Sequence, residues 1–160
     1  MKAVFLDRDG VVNTERGEYT FKIEDFQLND GLVEFCKRAK ANDFLIFVIS
    51  NQGGVAKGIY TLDDVKKVHD FLEEVLLKND IKLTDIYFCP HHQNFGACLC
   101  RKPNALLFER AIAKHNVNVQ ESFMLGDRER DIQAANAVGL KGILIPSNAN
   151  LLNYLNLLDE

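Results

Sequence analysis

The fold is decided near the start of the chain, where residues 3–10 read AVFLDRDG. The apolar run from Ala3 to Leu6 suits a buried strand, and Asp7 and Asp9 follow it two residues apart. Open parallel sheets bind ligands at the carboxyl ends of their strands, so both acids are placed for chemistry there. Gly10 lets the backbone approach a bound group closely. We therefore expect the first strand to end in an acidic site.

Apolar runs alternate with amphipathic segments along the rest of the chain, which is typical of a βαβ protein. Four further runs of β-forming residues predict strands at residues 44–49, 86–88, 123–125 and 142–145. Helical periodicity predicts helices at residues 31–42, 61–79, 105–115 and 131–139, with a last helix in the leucine-rich tail from residue 148. Because no linker interrupts the pattern, we expect one α/β domain over residues 1–160, with a parallel sheet of about five strands.

Composition narrows the class of protein and its partners. The 160 residues are 47% apolar and carry a net charge of −4, which fits a globular domain and argues against a nucleic-acid partner. No apolar run reaches the roughly 18 residues that a membrane span needs. Three of the four cysteines lie between positions 89 and 100, and in a cytosolic protein such clustering favours metal binding over disulfides. We expect a cytoplasmic monomer that acts on a small molecule.

Polar residues also follow later strands, so they should meet the two acids at one edge of the sheet. A carboxylate such as Asp7 can attack phosphorus, and Asp9 can protonate the leaving group and then activate water. The Ser50 hydroxyl and the Lys102 ammonium can stabilise a phosphoryl group. Mg²⁺ would offset the repulsion between carboxylates and phosphate and hold the phosphoryl oxygens. The pattern predicts a magnesium-dependent phosphatase.

The loop at residues 89–100 contains a predicted zinc site with the spacing C-x-H, six residues, then C-x-C. Three thiolates and one imidazole match a closed, tetrahedral structural site without an open position for water. Such a site would stabilise the loop and orient Arg101 and Lys102. His92 is an alternative to His91 as the imidazole ligand. The predicted ligands are Cys89, His91, Cys98 and Cys100.

Taken together, these motifs resemble those of the haloacid-dehalogenase (HAD) superfamily over nearly the whole chain. The resemblance rests on DxDG after the first strand, Ser50 after the second, Lys102, and Gly126-Asp127 followed by Asp131. It implies a three-layer Rossmann-like fold with strand order 5-4-1-2-3, with Asp7 as nucleophile and Asp9 as general acid/base. It also implies that Mg²⁺ binds the Asp7 side chain, the Asp9 backbone carbonyl and Asp127, with Asp131 in support.

The zinc loop is similar to that of two nearly capless groups within the superfamily. The heptose-bisphosphate phosphatases share most of the motifs, whereas the six-residue gap between His91 and Cys98 is more like the histidinol-phosphate phosphatases. The resemblance implies removal of the 7-phosphate of D-glycero-D-manno-heptose 1,7-bisphosphate, with histidinol phosphate as the alternative. A non-catalytic zinc-stabilised binding module and a nucleic-acid 3′-phosphatase are weaker alternatives. In a capless enzyme, loops set specificity, and the candidate substrate contacts are Glu15, Asn51, Gln52, Gly53, Arg101 and Arg128.

Overall fold

A computed structural model describes residues 1–159, which fold around one five-stranded parallel sheet. Its strands are β1 (Ala3–Leu6), β2 (Leu45–Asn51), β3 (Asp85–Cys89), β4 (Phe123–Gly126) and β5 (Lys141–Leu144). They are arranged in the order β3-β2-β1-β4-β5, and every neighbouring pair is parallel. This confirms the predicted α/β fold and its strand order. Among the described residues, we find no helix with the length and apolar character needed to cross a membrane.

Four α-helices connect the strands, and their ends differ from the predicted ones by two residues at most. They are α1 (Leu32–Ala41), α2 (Leu62–Lys78), α3 (Leu106–His115) and α4 (Glu129–Ala137). Helix α4 starts before the predicted Asp131, because the carboxylate of that residue accepts a hydrogen bond from the backbone N–H of Arg128 (3.1 Å) and so closes the first turn. The leucine-rich tail is helical as predicted, but it forms a 3₁₀ helix, Leu151–Leu158.

Helices cover both faces of the sheet, so successive residues of β1 enter two separate cores. Val4 and Leu6 pack toward α1, α2 and the tail, whereas Ala3 and Phe5 pack toward α3 and α4. All four residues are fully buried, which explains why β1 is apolar throughout instead of alternating. On the second face, the ring of Phe5 stacks on Phe47 of β2 with centroids 4.8 Å apart.

Backbone hydrogen bonds continue past the carboxyl ends of the strands. They fix the positions of the segments that leave the sheet at this edge. The N–H of Asp7 donates to the carbonyl of Leu125 (3.1 Å), and the N–H of Gln52 donates to the carbonyl of Cys89 (2.7 Å). The segments that follow β1, β2 and β4 therefore leave the sheet side by side. As a result, residues from distant parts of the chain meet at one edge.

The packing of α2 gives a direct test of this arrangement. We expect Leu72→Ala to lower the free energy of unfolding by about 2–5 kcal/mol, because Leu72 is fully buried between α2 and the sheet. Leu77→Ala on the same helix is the matched control, since Leu77 is exposed, and its effect should stay within about 0.5 kcal/mol. Urea denaturation measures both values. Equal losses for the two variants would contradict the assigned orientation of α2.

Candidate active site

A cleft of about 420 Å³ opens at the carboxyl ends of β1, β2 and β4. Its walls come from the β1–α1 connection, the end of β2 and the start of α4. A cleft of this size accommodates a small phosphorylated molecule. The structure brings many of the predicted site residues together in its lining, namely Asp7, Asp9, Glu15, Asn51, Gln52, Asp127 and Arg128.

A buried lysine neutralises the acids at the floor of the cleft. The Lys102 ammonium lies 2.7 Å from Oδ1 of Asp7, 2.8 Å from Oδ1 of Asp131 and 2.7 Å from the carbonyl oxygen of Ile49. Asp7 and Ile49 accept hydrogen bonds from the ammonium group, and Asp131 forms an ion pair with it. Lys102 is only 2% exposed, so its charge is stabilised by these groups and not by water.

The environment of this ion cluster shifts the pKa values of its members. Burial raises the pKa of Asp7 well above its usual range; Lys102 opposes this rise, while the nearby Asp131 and Asp127 add to it. Burial alone would lower the pKa of Lys102, but Asp7 and Asp131 outweigh that effect and raise it. A cation added beside Asp7 would favour its ionised form, which is the form that can act as a nucleophile.

The third acid at the floor, Asp127, has the environment of a metal ligand. Both of its carboxylate oxygens are buried, and neither has a hydrogen-bond partner among the described residues. Oxygen atoms of Asp7, Asp127 and Asp131 all lie within 4.8 Å of one another. Gly10 has a positive φ of 92°, and a Cβ there would clash with the Asp127 carboxylate. Hard oxygen ligands gathered in this way can hold a divalent cation such as Mg²⁺.

The Asp9 side chain does not face the other three acids but forms hydrogen bonds with neighbouring polar side chains. Its Oδ1 accepts hydrogen bonds from Arg8 and Asn13, both at 3.0 Å, and its Oδ2 accepts one from Gln52, also at 3.0 Å. Burial would raise the pKa of Asp9, but Arg8, Asn13 and Gln52 outweigh it and lower the pKa. The Asp9 carboxylate is therefore separate from the group of three acids that can share a cation. This leaves its backbone carbonyl as the ligand implied by the HAD resemblance.

The residues at the end of β2 hold the site together through their side chains. Ser50 is buried, and its Oγ accepts a hydrogen bond from Gln52 (2.7 Å). The Asn51 amide donates to the carbonyl of Lys102 (3.2 Å) and accepts from its N–H (3.0 Å), and Asn51 also lines the cleft, so its predicted contact with substrate stays a prediction. The two hydrogen bonds fix the position from which the Lys102 side chain reaches Asp7.

Arg128 and Glu15 line the cleft, whereas Arg101 lines a separate pocket beside the cysteine loop. Arg101 donates to the carbonyl oxygen of His91 (3.2 Å) and lies close above Gly53, where a Cβ would crowd its guanidinium. Arg128 is mostly exposed, and its Nε lies 3.9 Å from Oδ2 of Asp127. Glu15 accepts a hydrogen bond from the N–H of Gly17 (2.8 Å) and shapes the loop on the opposite wall. The substrate-binding roles of these residues stay predictions.

Beside Lys102, the structure brings the four predicted zinc ligands together. The Nδ1 atom of His91 lies 3.1 Å from Sγ of Cys100 and 3.4 Å from Sγ of Cys89, which in turn lies 3.7 Å from Sγ of Cys98. All four donor atoms lie within 4.8 Å of one another, close enough to surround one Zn²⁺ ion. His92 is not part of this group, since its Nδ1 accepts a hydrogen bond from the N–H of Asn94 (3.2 Å).

Sequence reasoning missed two residues that the structure places next to the acids. Arg8 is almost completely buried and donates to Asp9 and to the carbonyl of Thr20 (2.6 Å). Tyr60 donates to Oε1 of Gln52 (2.6 Å). Arg8 stands inside the acidic motif, so its position was a usable signal, because a cation between two acids next to a buried strand needs a partner. Tyr60 lies in a connection between β2 and α2, and no pattern marked it.

Comparison with known proteins identifies the class. A HAD-hydrolase-like family model matches residues 99–154. A D-glycero-alpha-D-manno-heptose-1,7-bisphosphate 7-phosphatase of Campylobacter jejuni is 41% identical over 133 residues, covering 83% of this chain and 75% of the relative. The beta-named enzyme of Helicobacter pylori strain J99 is 40% identical over 149 residues, covering 92% and 84%. Fold, site and sequence define a phosphatase of the HAD superfamily.

Within that class, the chain belongs to the family of D-glycero-D-manno-heptose-1,7-bisphosphate 7-phosphatases. A solved structure agrees with this assignment. The D,D-heptose 1,7-bisphosphate phosphatase from B. bronchiseptica, complexed with magnesium and phosphate, superimposes with a TM-score of 0.86 at 27% identity. The match covers 96% of this chain and 87% of that one.

The buried ion cluster leads to a prediction about stability. We expect Lys102→Met to lower the free energy of unfolding by about 3–5 kcal/mol, because it leaves the carboxylates of Asp7 and Asp131 without their cation. Lys114→Met is the matched control, since Lys114 forms an exposed ion pair with Asp85 and should cost at most about 1 kcal/mol. Denaturant unfolding of both variants compares the two losses. A Lys102→Met variant as stable as the control would contradict the assigned role of this lysine.

Proposed function

We propose that the chain removes the 7-phosphate of D-glycero-D-manno-heptose 1,7-bisphosphate through an aspartyl-phosphate on Asp7. The observation that carries the proposal is the position of the Asp7 carboxylate at the floor of the cleft, beside Lys102 and near Asp127, whose oxygens have no hydrogen-bond partner among the described residues. The names of the relatives support the substrate. The proposal does not extend to the anomer, since relatives of nearly equal identity are named for the alpha and beta forms.

The metal assignment follows from the donor set. We assign Mg²⁺ to the carboxylates of Asp7 and Asp127, together with the Asp9 backbone carbonyl, and we assign Asp131 the role of holding Lys102 nearby. The three carboxylates are close enough to need a cation, and oxygen donors suit magnesium. When bound, Mg²⁺ offsets the repulsion between the carboxylates and the phosphoryl oxygens. The presence of magnesium and phosphate in the B. bronchiseptica enzyme supports the assignment.

The chemistry is then divided between two acids. The Asp7 carboxylate attacks phosphorus, the bond from phosphorus to the sugar oxygen breaks, and that oxygen takes a proton from Asp9. The negative charge of a bound phosphoryl group raises the pKa of a nearby carboxyl, which allows Asp9 to carry this proton despite its three donors. Water activated by Asp9 then releases phosphate from Asp7. Lys102 and the Ser50 hydroxyl stabilise the phosphoryl oxygens.

Substrate selection is proposed to lie in the loops around the cleft. The guanidinium groups of Arg101 and Arg128 are suited to bind the second phosphate, since arginine binds phosphate in a bidentate manner. Glu15 and Gln52 line the wall where the sugar would lie, and Gly53 follows Gln52 in sequence. The acidic net charge of −4 supports a small metabolite over nucleic acid or an anionic membrane surface.

The zinc-bearing loop keeps one alternative substrate open. Only six residues separate His91 from Cys98, and this short loop favours histidinol phosphate, the second candidate. Both reactions use the same acids. Three cysteines gathered with His91 as metal ligands support a reducing compartment such as the cytoplasm. The monomeric state stays a prediction.

Turnover of a substrate panel tests the proposed reaction. We expect phosphate release to be fastest with heptose 1,7-bisphosphate, slower with histidinol phosphate and slowest with simple sugar phosphates. Asp7→Asn should lower kcat by about 1,000-fold or more, because an amide is not a nucleophile toward phosphorus. Asp63→Asn, at an exposed position of α2, is the control and should keep the native rate. Near-native turnover by Asp7→Asn would refute the mechanism, and preference for histidinol phosphate would refute the substrate.

Metal analysis tests the zinc site separately from catalysis. We expect about one zinc ion per chain, and Cys98→Ser should lower both the zinc content and the melting temperature, because the site loses one of four ligands. Cys36→Ala is the matched control, since Cys36 lies in the core on α1, far from the cluster, and its variant should retain zinc. Protein purified without chelators that contains no zinc would contradict the ligand assignment.

A further inference from the structure

Tyr60 lies outside every motif used so far, yet its hydroxyl contacts the catalytic network. It donates to Oε1 of Gln52 (2.6 Å), and the two residues are only 4% and 2% exposed. We propose that Tyr60 is a positioning residue that acts through Gln52 to hold the Asp9 carboxyl where it transfers its proton to the leaving alcohol. This inference rests on the acid/base role proposed for Asp9.

The Gln52 amide links Tyr60 to the acid. Its Nε2 donates to Oδ2 of Asp9 (3.0 Å) and to Oγ of Ser50 (2.7 Å). An ionised carboxylate only accepts hydrogen bonds, so the NH₂ end of the amide must face Asp9 and the carbonyl end must face away. A buried carbonyl oxygen needs a donor, and the Tyr60 hydroxyl provides it. The hydroxyl therefore stabilises the orientation of the amide that Asp9 needs.

The two oxygens of Asp9 are held differently, and this difference shows what the Gln52 bond does. Oδ1 accepts from both Arg8 and Asn13, whereas Oδ2 accepts from Gln52 alone. Oδ2 is thus the oxygen with a free position for the proton that passes to the leaving oxygen as the phosphorus–oxygen bond breaks. The orientation of Oδ2 depends on the single hydrogen bond from Gln52. If that bond were lost, the proton on Oδ2 would be misplaced, while Oδ1 would still hold the carboxyl group in the site.

Packing fixes the Tyr60 ring independently of its hydroxyl. The ring stacks on Phe21 at a centroid distance of 5.0 Å and an angle of 9°, and the ring of Tyr19 lies 5.7 Å away. On the other side, the ring approaches Gly54 so closely that a Cβ there would clash with it. Tyr60→Phe should therefore keep the ring in place and remove only the hydrogen bond to Gln52.

Comparing two substrates with different leaving groups tests whether Tyr60 positions the Asp9 acid. A variant with a generally disturbed site would lose activity on both substrates. The value of kcat/KM reports the steps up to release of the alcohol, and p-nitrophenyl phosphate releases a stable phenolate that needs no proton. We expect Tyr60→Phe to lower kcat/KM about tenfold for the heptose bisphosphate, or for whichever aliphatic phosphomonoester the panel shows to be fastest. For p-nitrophenyl phosphate the change should stay below about twofold. Equal losses on both substrates, or no loss on either, would overturn the proposal.

A double-mutant cycle on the aliphatic substrate tests the route through Gln52. Gln52→Met removes the amide, so adding Tyr60→Phe to it should cause no further loss in kcat/KM, whereas independent roles would give multiplied losses and refute the route. Tyr87→Phe is the matched control, because the Tyr87 hydroxyl is buried without a hydrogen-bond partner among the described residues and lies on β3 outside the cleft. Its kinetics should equal those of the native enzyme on both substrates.

The same two substrates distinguish failure of this inference from failure of the proposed function. Asp9→Asn should lose far more activity on the aliphatic phosphate than on p-nitrophenyl phosphate if Asp9 donates the proton. Equal losses for Asp9→Asn would refute the acid role, and the Tyr60 inference with it. If Asp9→Asn loses activity mainly on the aliphatic phosphate, but Tyr60→Phe loses it equally on both substrates, only the Tyr60 inference is overturned.

Discussion

The site depends on one buried cation, the ammonium group of Lys102. Asp7, Asp127 and Asp131 lie close together at the floor of the cleft, where charges of one sign repel strongly and little water screens them. Lys102 forms ion pairs with two of these acids and donates a hydrogen bond to a backbone carbonyl. Lys102 therefore offsets part of the repulsion among these acids. The oxygens of Asp127 accept no hydrogen bond from the described residues, so they are available to a divalent cation.

Lys102 comes from a loop and not from a strand, so its position needs support from the surrounding chain. Asn51 at the end of β2 holds the Lys102 backbone through both ends of its amide. The group of three cysteines and His91 lies just before it in sequence, and the His91 carbonyl also receives a hydrogen bond from Arg101. A structural zinc ion there would fix the loop from one side while Asn51 fixes it from the other. The cysteine–histidine group and the acidic cleft are therefore connected through the Lys102 loop.

The sequence predicted the elements whose signal is local. Apolar runs marked the five strands, and the rule that ligands bind at strand ends placed Asp7, Ser50 and Asp127 correctly at one edge. The ligand spacing of the cysteine loop predicted a cluster that the structure brings together. Hydrogen bonds between distant residues could not be predicted, because no spacing records them. Asn51 holding Lys102 and Tyr60 reaching Gln52 are both contacts of this kind.

The central claim is that Asp7 becomes phosphorylated during turnover, and chemical trapping tests it most directly. An aspartyl-phosphate is an acyl phosphate, which borohydride reduces to an alcohol, so enzyme quenched during turnover of heptose 1,7-bisphosphate and then reduced should contain homoserine at residue 7. Peptide mass mapping locates the modified residue, and enzyme without substrate should keep aspartate there. Homoserine at position 7 is the predicted result. Trapping at another acid, or unmodified Asp7 in enzyme that is demonstrably turning over under the same quench, would contradict the account.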